Sequence, residues 1–349
     1  MNRPQHGGNL VWAASIAGCS TSALTDFSAS INPLGPPKSA IAAMTNSLSA
    51  LTSYPDPQYT KLRSLLAEHH NISPDFIFPG NGAAELLTWA GRELAELQAT
   101  YLITPAFSDY QRALAAFNAK IVHLSISPSS NLPIPQSPNP QTGLLLNNPH
   151  NPTGKLWTRE EILPYLDQFA LVIVDEAFMD FLTPAEEQSL ISLVRDYPNL
   201  VILRSLTKFY SLPGLRIGYA IAHPERLQKW QKWRDPWSVN TLAVSATIAA
   251  IQDKKFQQQT WDWLAPTRSQ LQQDLAAIPG LKPLASSANF LLVKSASSVT
   301  QLQKELLKKE QILIRDCLSF PELGDRYFRV AVRLAKDNTR LVNAIAAIL

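Results

Sequence analysis

Ser205-Leu206-Thr207-Lys208, followed eight residues after the lysine by Arg216 in Gly214-Leu215-Arg216-Ile217-Gly218, decides the fold of this chain. The lysine comes after an apolar run, Leu200–Leu203, of the kind that forms a buried strand. A free ammonium is costly there and an imine is not. Ser205 offers a hydroxyl and Arg216 a planar guanidinium, and both suit a phosphate. A lysine set between them is placed to hold a phosphorylated aldehyde. An isolated lysine is a solvated surface charge, but two upstream segments argue against that reading here. They are Asn147-Asn148-Pro149-His150-Asn151-Pro152-Thr153-Gly154 and, after the apolar run Leu171–Val174, Asp175-Glu176-Ala177-Phe178.

Apolar runs suited to buried parallel strands also occur at Tyr101–Thr104, Ile121–Ile126, Gly143–Asn147, Val201–Ser205 and Arg216–Ile221, with helical periodicity over 83–97, 109–117 and 158–169. Such alternation predicts an α/β domain with a mostly parallel sheet and a ligand site at the carboxyl ends of its strands. Asp175 then emerges at a strand end, where it either caps the next turn or pairs with a ligand cation. Asn151, fixed by Pro152 and Gly154, is equally a turn residue or an amide donor. Gly80-Asn81-Gly82-Ala83-Ala84-Glu85 opens a helix, and helix-start N–H groups bind anions. Gly82, Ala83 and Ala84 are therefore expected at the same phosphate as Ser205 and Arg216. Phe107, just after a strand, is either a core aromatic or a ring that stacks on the ligand.

Near Pro236 the pattern changes to long helices (241–251, 254–277) and short strands (289–294, 312–315, 327–332), which predicts a smaller α+β domain. Residues 1–35, rich in Gly, Ser, Asn and Pro, read as an extended arm, leaving 36–235 as the large domain and 236–349 as the small one. The Pro/Ser-rich stretch 127–141 reads as a surface loop.

Of 349 residues, 46% are apolar and 17% charged, and the net charge is +3, which suits a compact enzyme and gives no support for a nucleic-acid partner. Cys19 and Cys317 are the only cysteines, without metal-ligand spacing, so no metal site or disulfide framework is expected and a reducing cytoplasm is the simplest home. Ile16-Ala17-Gly18-Cys19 matches a short lipobox, but only Arg3 precedes it as a basic residue and its apolar stretch is short for a signal peptide. No run approaches a membrane span. Trp230, Trp233 and Trp237, interleaved with Lys229, Lys232 and Arg234, read as a packed connecting helix rather than a membrane-surface one.

Taken in order, the three segments resemble the signature of fold type I pyridoxal-phosphate enzymes, the aspartate-aminotransferase fold, and the resemblance extends from about His6 to the carboxyl terminus. It implies that Lys208 bonds the cofactor aldehyde and that Asp175 pairs with the ring nitrogen. Asn151 is implied to donate to the phenolic oxygen and Phe107 to stack on the ring. Within that fold the chain resembles the L-threonine-O-3-phosphate decarboxylases of cobalamin biosynthesis and the histidinol-phosphate aminotransferases. Three features are similar to the decarboxylases: His6-Gly7-Gly8-Asn9 with Asp26–Gly35; Phe178 where the aminotransferases carry a tyrosine; and Ile314–Cys317 with Phe328–Arg333. The resemblance implies that Arg329 binds the substrate carboxylate and Arg315 its phosphate, with His6, Gly7 and Asn32 closing over them. It also implies a homodimer in which Tyr54 reaches the cofactor phosphate of the neighbouring subunit. Decarboxylation and transamination both remain open, because the sequence does not fix which bond at the α-carbon stands perpendicular to the ring.

Overall fold

A computed structural model describes residues 3–126, 132 and 140–349. The stretch 127–141, read as a surface loop, lies mostly outside the described residues. The first strand, β1 (Thr25–Asp26), belongs to the amino-terminal segment. The central sheet is built from β2 (Ile77–Gly80), β3 (Thr100–Thr104), β4 (Ile121–Ser125), β5 (Gly143–Asn147), β6 (Leu171–Asp175), β7 (Leu200–Ser205) and β8 (Gly218–Ala222), in the order β2-β8-β7-β6-β5-β3-β4. All its pairings are parallel except those of β8, which runs antiparallel to both neighbours.

Alternating side chains on these strands fill two apolar layers. Leu144, Leu146, Val172, Val174 and Ile202 face one layer. Leu145, Ile173, Val201, Leu203 and Ala220 face the other, against the helix Ala83–Leu94. A sheet buried on both faces needs apolar residues at every position, which is why these strands are legible as continuous runs. Gly91 lets that helix approach its neighbour Ser108–Ala115, since a β-carbon there would stand 2.5 Å from the Ala113 carbonyl oxygen.

The carboxyl-terminal region forms an antiparallel sheet of β9 (Leu281–Pro283), β10 (Phe290–Ser295), β12 (Arg315–Asp316) and β13 (Tyr327–Ala331), in the order β12-β13-β10-β9, while β11 (Ile312–Leu313) pairs in parallel with β1. The stretch 312–315, expected as one strand, is thus split between two sheets. The first apolar layer continues into this region through Phe290, Val293, Leu302 and Leu306.

The segment 1–35 is not wholly extended. Leu10–Ala17 is helical, capped at one end by Asn9, whose side chain accepts from the Trp12 N–H at 3.0 Å, and closed by Gly18 at φ 69°. Its Ala13 packs on Leu307 and Leu313, so residues of the lipobox-like stretch lie at the end of a docked helix. The connecting helix, Pro224–Gln231, carries only the first of the three tryptophans: Trp230 is fully buried and donates to Glu93 at 2.8 Å, whereas Trp233 and Trp237 follow the helix end and Trp237 is exposed. No described helix is long and apolar enough to cross a membrane.

Candidate active site

Asn147, Asp175 and Ser205 end β5, β6 and β7, and register sets Asn147 beside Asp175 and Ser205 beside Gly218. Parallel strands thereby bring residues far apart in sequence to one rim, as the carboxyl-end rule requires. A cavity of about 300 Å³ opens there.

Lys208 sits in the single helical turn Leu206–Phe209 that follows β7. Its amine faces the cavity and has no ion-pair partner among the described residues. Burial, with the positive charges of Arg329 and Arg216, lowers its pKa to about 8. Asp175 is buried; one oxygen accepts from the Tyr110 hydroxyl at 2.7 Å and the other from the Ala177 N–H at 2.9 Å. Burial raises its pKa, and among the described residues no cation is in ion-pair range. It is a buried carboxylate with room for a cationic partner.

At the opposite end, Gly82 at φ 77° precedes the first turn of the helix Ala83–Leu94. A β-carbon there would stand 2.8 Å from the Arg216 guanidinium. Arg216 itself holds a left-handed backbone, φ 55°, uncommon for a residue with a β-carbon. Ser205 and Thr207 place their hydroxyls 2.8 Å apart beside it. Helix N–H groups, two hydroxyls and a guanidinium without a carboxylate form an anion cradle.

Asn151 accepts from Arg329 through Oδ1, which orients its amide nitrogen as the free donor end. Arg329 is buried, also donates to the Ser28 carbonyl at 3.3 Å, and lies 4.8 Å from the Phe290 ring centre. Burial brings its pKa down to about 10, and it has no carboxylate in ion-pair range among the described residues. Its cross-strand register partner is Arg315. That residue donates to Ser319 Oγ at 2.5 Å and to the Gln5 carbonyl, and Asp316 lies 3.6 Å away. Phe107 and Phe178 line the cavity; Phe178 meets Phe290 edge-on at 5.1 Å. The His6 ring is 5.4 Å from that of Phe107, and Gly7 follows at the same wall.

Arg315 does not line this cavity but a small adjoining space that it shares with His6, Gly7, Asn151 and Arg329, and two further expected residues are placed elsewhere. Asn32 is buried behind the cavity with its amide committed to the Phe209 carbonyl and Thr260 hydroxyl, both at 2.9 Å, while its oxygen accepts from the Leu34 N–H. Its backbone N–H instead holds the Lys208 carbonyl at 3.1 Å. Tyr54 is exposed and stacks near Trp237, ring centres 4.6 Å apart, outside its own chain's cavity. Sequence reasoning missed Tyr110, Thr207 and Ser28. Thr207 stood in the quoted segment, and Tyr110 follows Phe107 at the three-residue spacing that puts two side chains on one face of a turn.

The fold and this rim define an enzyme of the class I and II aminotransferase family, to which the chain belongs: the family's description, "Aminotransferase class I and II", matches residues 22–348. The chain is 37% identical to a threonine-phosphate decarboxylase from Salmonella typhimurium over 99% of its own length and 96% of that protein's. It is 30% identical to a histidinol-phosphate aminotransferase from Methanothermobacter thermautotrophicus, with 90% and 86% covered. The crystal structure of the histidinol-phosphate aminotransferase from Clostridium acetobutylicum superposes with a TM-score of 0.85, 28% identity, and coverage of 92% of this chain and 98% of that one.

Pyridoxal phosphate is the cofactor of that family, and the residues present fit it. The unpaired Lys208 amine suits the aldehyde, the cation-free Asp175 carboxylate suits a protonated ring nitrogen, and the cradle at Gly82 and Arg216 suits the phosphate.

Proposed function

We propose that this enzyme decarboxylates L-threonine O-3-phosphate to (R)-1-amino-2-propanol O-phosphate and carbon dioxide, a step of cobalamin side-arm synthesis. The observation that carries the reading is the pairing of Arg315 with Arg329 across adjacent strands. Like charges directly opposite on a sheet repel, and among the described residues the one carboxylate in ion-pair range of the pair, Asp316 at 3.6 Å from Arg315, is shared with Arg3 at 3.0 Å. An amino acid bearing both a carboxylate and a phosphate supplies the missing negative charge at both positions. Near-full-length similarity to a named threonine-phosphate decarboxylase supports the same substrate.

In this reading Lys208, Asp175, Asn151, Ser205, Thr207 and Arg216 hold the cofactor, which when bound supplies an electron sink for the substrate α-carbon. Arg329 binds the carboxylate, and Asn151, locked to it, fixes its plane. Arg315 releases the Gln5 carbonyl to take the phosphate, and His6 and Gly7 shield the site from water. The bond to the carboxylate breaks, its electron pair stays with the α-carbon, and carbon dioxide leaves. Lys208, with a pKa near 8, is suited to deliver the proton that replaces it.

Transamination of the histidinol-phosphate type is the second reading, favoured by the relatives that bear that name. Phe178 weighs against it, since it brings no phenolic donor to the cofactor's oxygen. A homodimer accompanies the proposal. Leu48, Leu51, Tyr54 and Trp237 are large apolar side chains exposed on this chain, and a second copy would cover them and receive Tyr54. Sedimentation of an active monomer would contradict that part.

The test of function is incubation of the cofactor-loaded protein with L-threonine O-3-phosphate and no keto acid. Carbon dioxide release is expected; glutamate formation from 2-oxoglutarate and histidinol phosphate without it would reverse the two readings.

A further inference from the structure

Among the described residues four arginines are less than a tenth exposed: Arg204, Arg234, Arg315 and Arg329. Arg204 is matched by Glu176, Asp180 and Glu187 at 2.9, 2.5 and 2.9 Å. Arg315 has Asp316 at 3.6 Å. Arg329 and Arg234 have no carboxylate in ion-pair range. A buried guanidinium without a counter-charge is unfavourable unless an anion arrives. Arg329 opens on the active cavity; Arg234 opens on a second one.

That second cavity, about 310 Å³, lies beside the edge strand β2 and shares no lining residue with the first. Ile77, Phe78 and Leu227 make its apolar wall, and Gln58, Gln228 and Gln231 add amide groups. Arg63 and Asp75 also line it, but they pair with each other at 3.4 Å and their charges cancel. Arg234 donates to the Pro79 carbonyl, and its guanidinium carbon lies 3.8 Å from the Phe78 ring centre and 5.6 Å from that of Tyr59. Its Nε is buried with no hydrogen-bond partner. Ring stacking eases the burial of the cation but supplies no counter-ion. Burial lowers the pKa of this guanidinium; Glu85 and Asp235 oppose that only from beyond ion-pair range.

We propose that this cavity is a second anion site, in which Arg234 receives the phosphate or carboxylate of a compact metabolite whose body rests on Phe78 and Leu227. The site goes beyond the reaction proposed above and does not depend on it. It is joined to the catalytic rim through β2, because the carbonyl held by Arg234 belongs to Pro79, three residues before Gly82 of the phosphate cradle.

Hydrogen–deuterium exchange on the cofactor-loaded protein, titrated with inorganic phosphate, tests this locally. Saturable protection is expected in residues 57–63 and 227–234. It should fall at least about tenfold in apparent affinity in Arg234→Gln, while any protection near 315–319 is retained. Gln228→Trp blocks the cavity mouth at an exposed position without altering the buried arginine, and should abolish the same protection even if Arg234→Gln folds poorly. Absence of protection in these segments at saturating phosphate, or its persistence in Gln228→Trp, overturns the proposal. Either result leaves the assay for carbon dioxide release unaffected.

Discussion

The Tyr110 hydroxyl donates to Asp175 Oδ2 at 2.7 Å, so the buried carboxylate that lines the cavity is aimed by a residue on the helix behind Phe107. Burial raises the pKa of Asp175 and this bond opposes the rise. Tyr110→Phe therefore leaves one carboxylate oxygen unpaired and favours its protonated form. A hydrogen bond to a charged group contributes about 1.5–3 kcal/mol. The expected outcome is a loss of pyridoxal-phosphate affinity of roughly 10- to 100-fold, read by titrating the cofactor-free variant.

Lys208 titrates near 8 because burial and the charges of Arg329 and Arg216 disfavour its ammonium form. In the cofactor-free protein its acetylation rate, followed by mass spectrometry, should rise with a midpoint near pH 8, well below that of exposed lysines. Arg329→Gln removes a positive neighbour and should move the midpoint upward. An unchanged midpoint would mean that Arg329 does not act on the amine.

Gly82→Ala tests the anion cradle. The added β-carbon meets the Arg216 guanidinium at 2.8 Å, and the extended positive-φ backbone there, φ 77° and ψ 161°, is open essentially to glycine alone and costs another residue about 1–3 kcal/mol. Pyridoxal phosphate should bind at least about tenfold more weakly, whereas pyridoxal, which has no phosphate, should bind as before. Equal weakening of both would indicate general damage rather than a displaced guanidinium.

How far the sequence could be read follows from where each residue lies. Strands β5, β6 and β7 are buried on both faces, so their apolar runs were legible and carried Asp175 and Lys208 with them. Strand β2 was not, because Pro79 and Gly80 break its pattern; an edge strand tolerates both. The helix Leu10–Ala17 was hidden by the Gly, Ser and Asn around it, although Asn9 and Gly18 are themselves its cap signals. Arg216 was expected to begin a strand and instead turns left-handed two residues before β8. The partner of Asp175 was beyond reach, since nothing in the sequence says that position 110 faces position 175. Asn32 was expected over the substrate only through the family resemblance, and its side-chain amide is instead committed to Phe209 and Thr260, 177 and 228 residues away in sequence.

Behind the rim, Arg204 points away from Ser205 into Glu176, Asp180 and Glu187. This cluster pins the strand ends that carry Asp175 and Ser205, one residue from each. Removing one partner of a buried ion pair costs about 3–5 kcal/mol. Glu176→Ala should therefore lower the stability of the cofactor-free protein by that order in denaturant titration. Cofactor affinity should weaken with it.

The most direct measurement is product analysis in heavy water. Cofactor-loaded enzyme given L-threonine O-3-phosphate alone should yield carbon dioxide and an aminopropanol phosphate carrying one solvent deuteron at the former α-carbon. Arg315→Gln should narrow the preference for that substrate over unphosphorylated threonine. A keto product with no carbon dioxide, or equal turnover of threonine and its phosphate by the unaltered enzyme, would contradict the account.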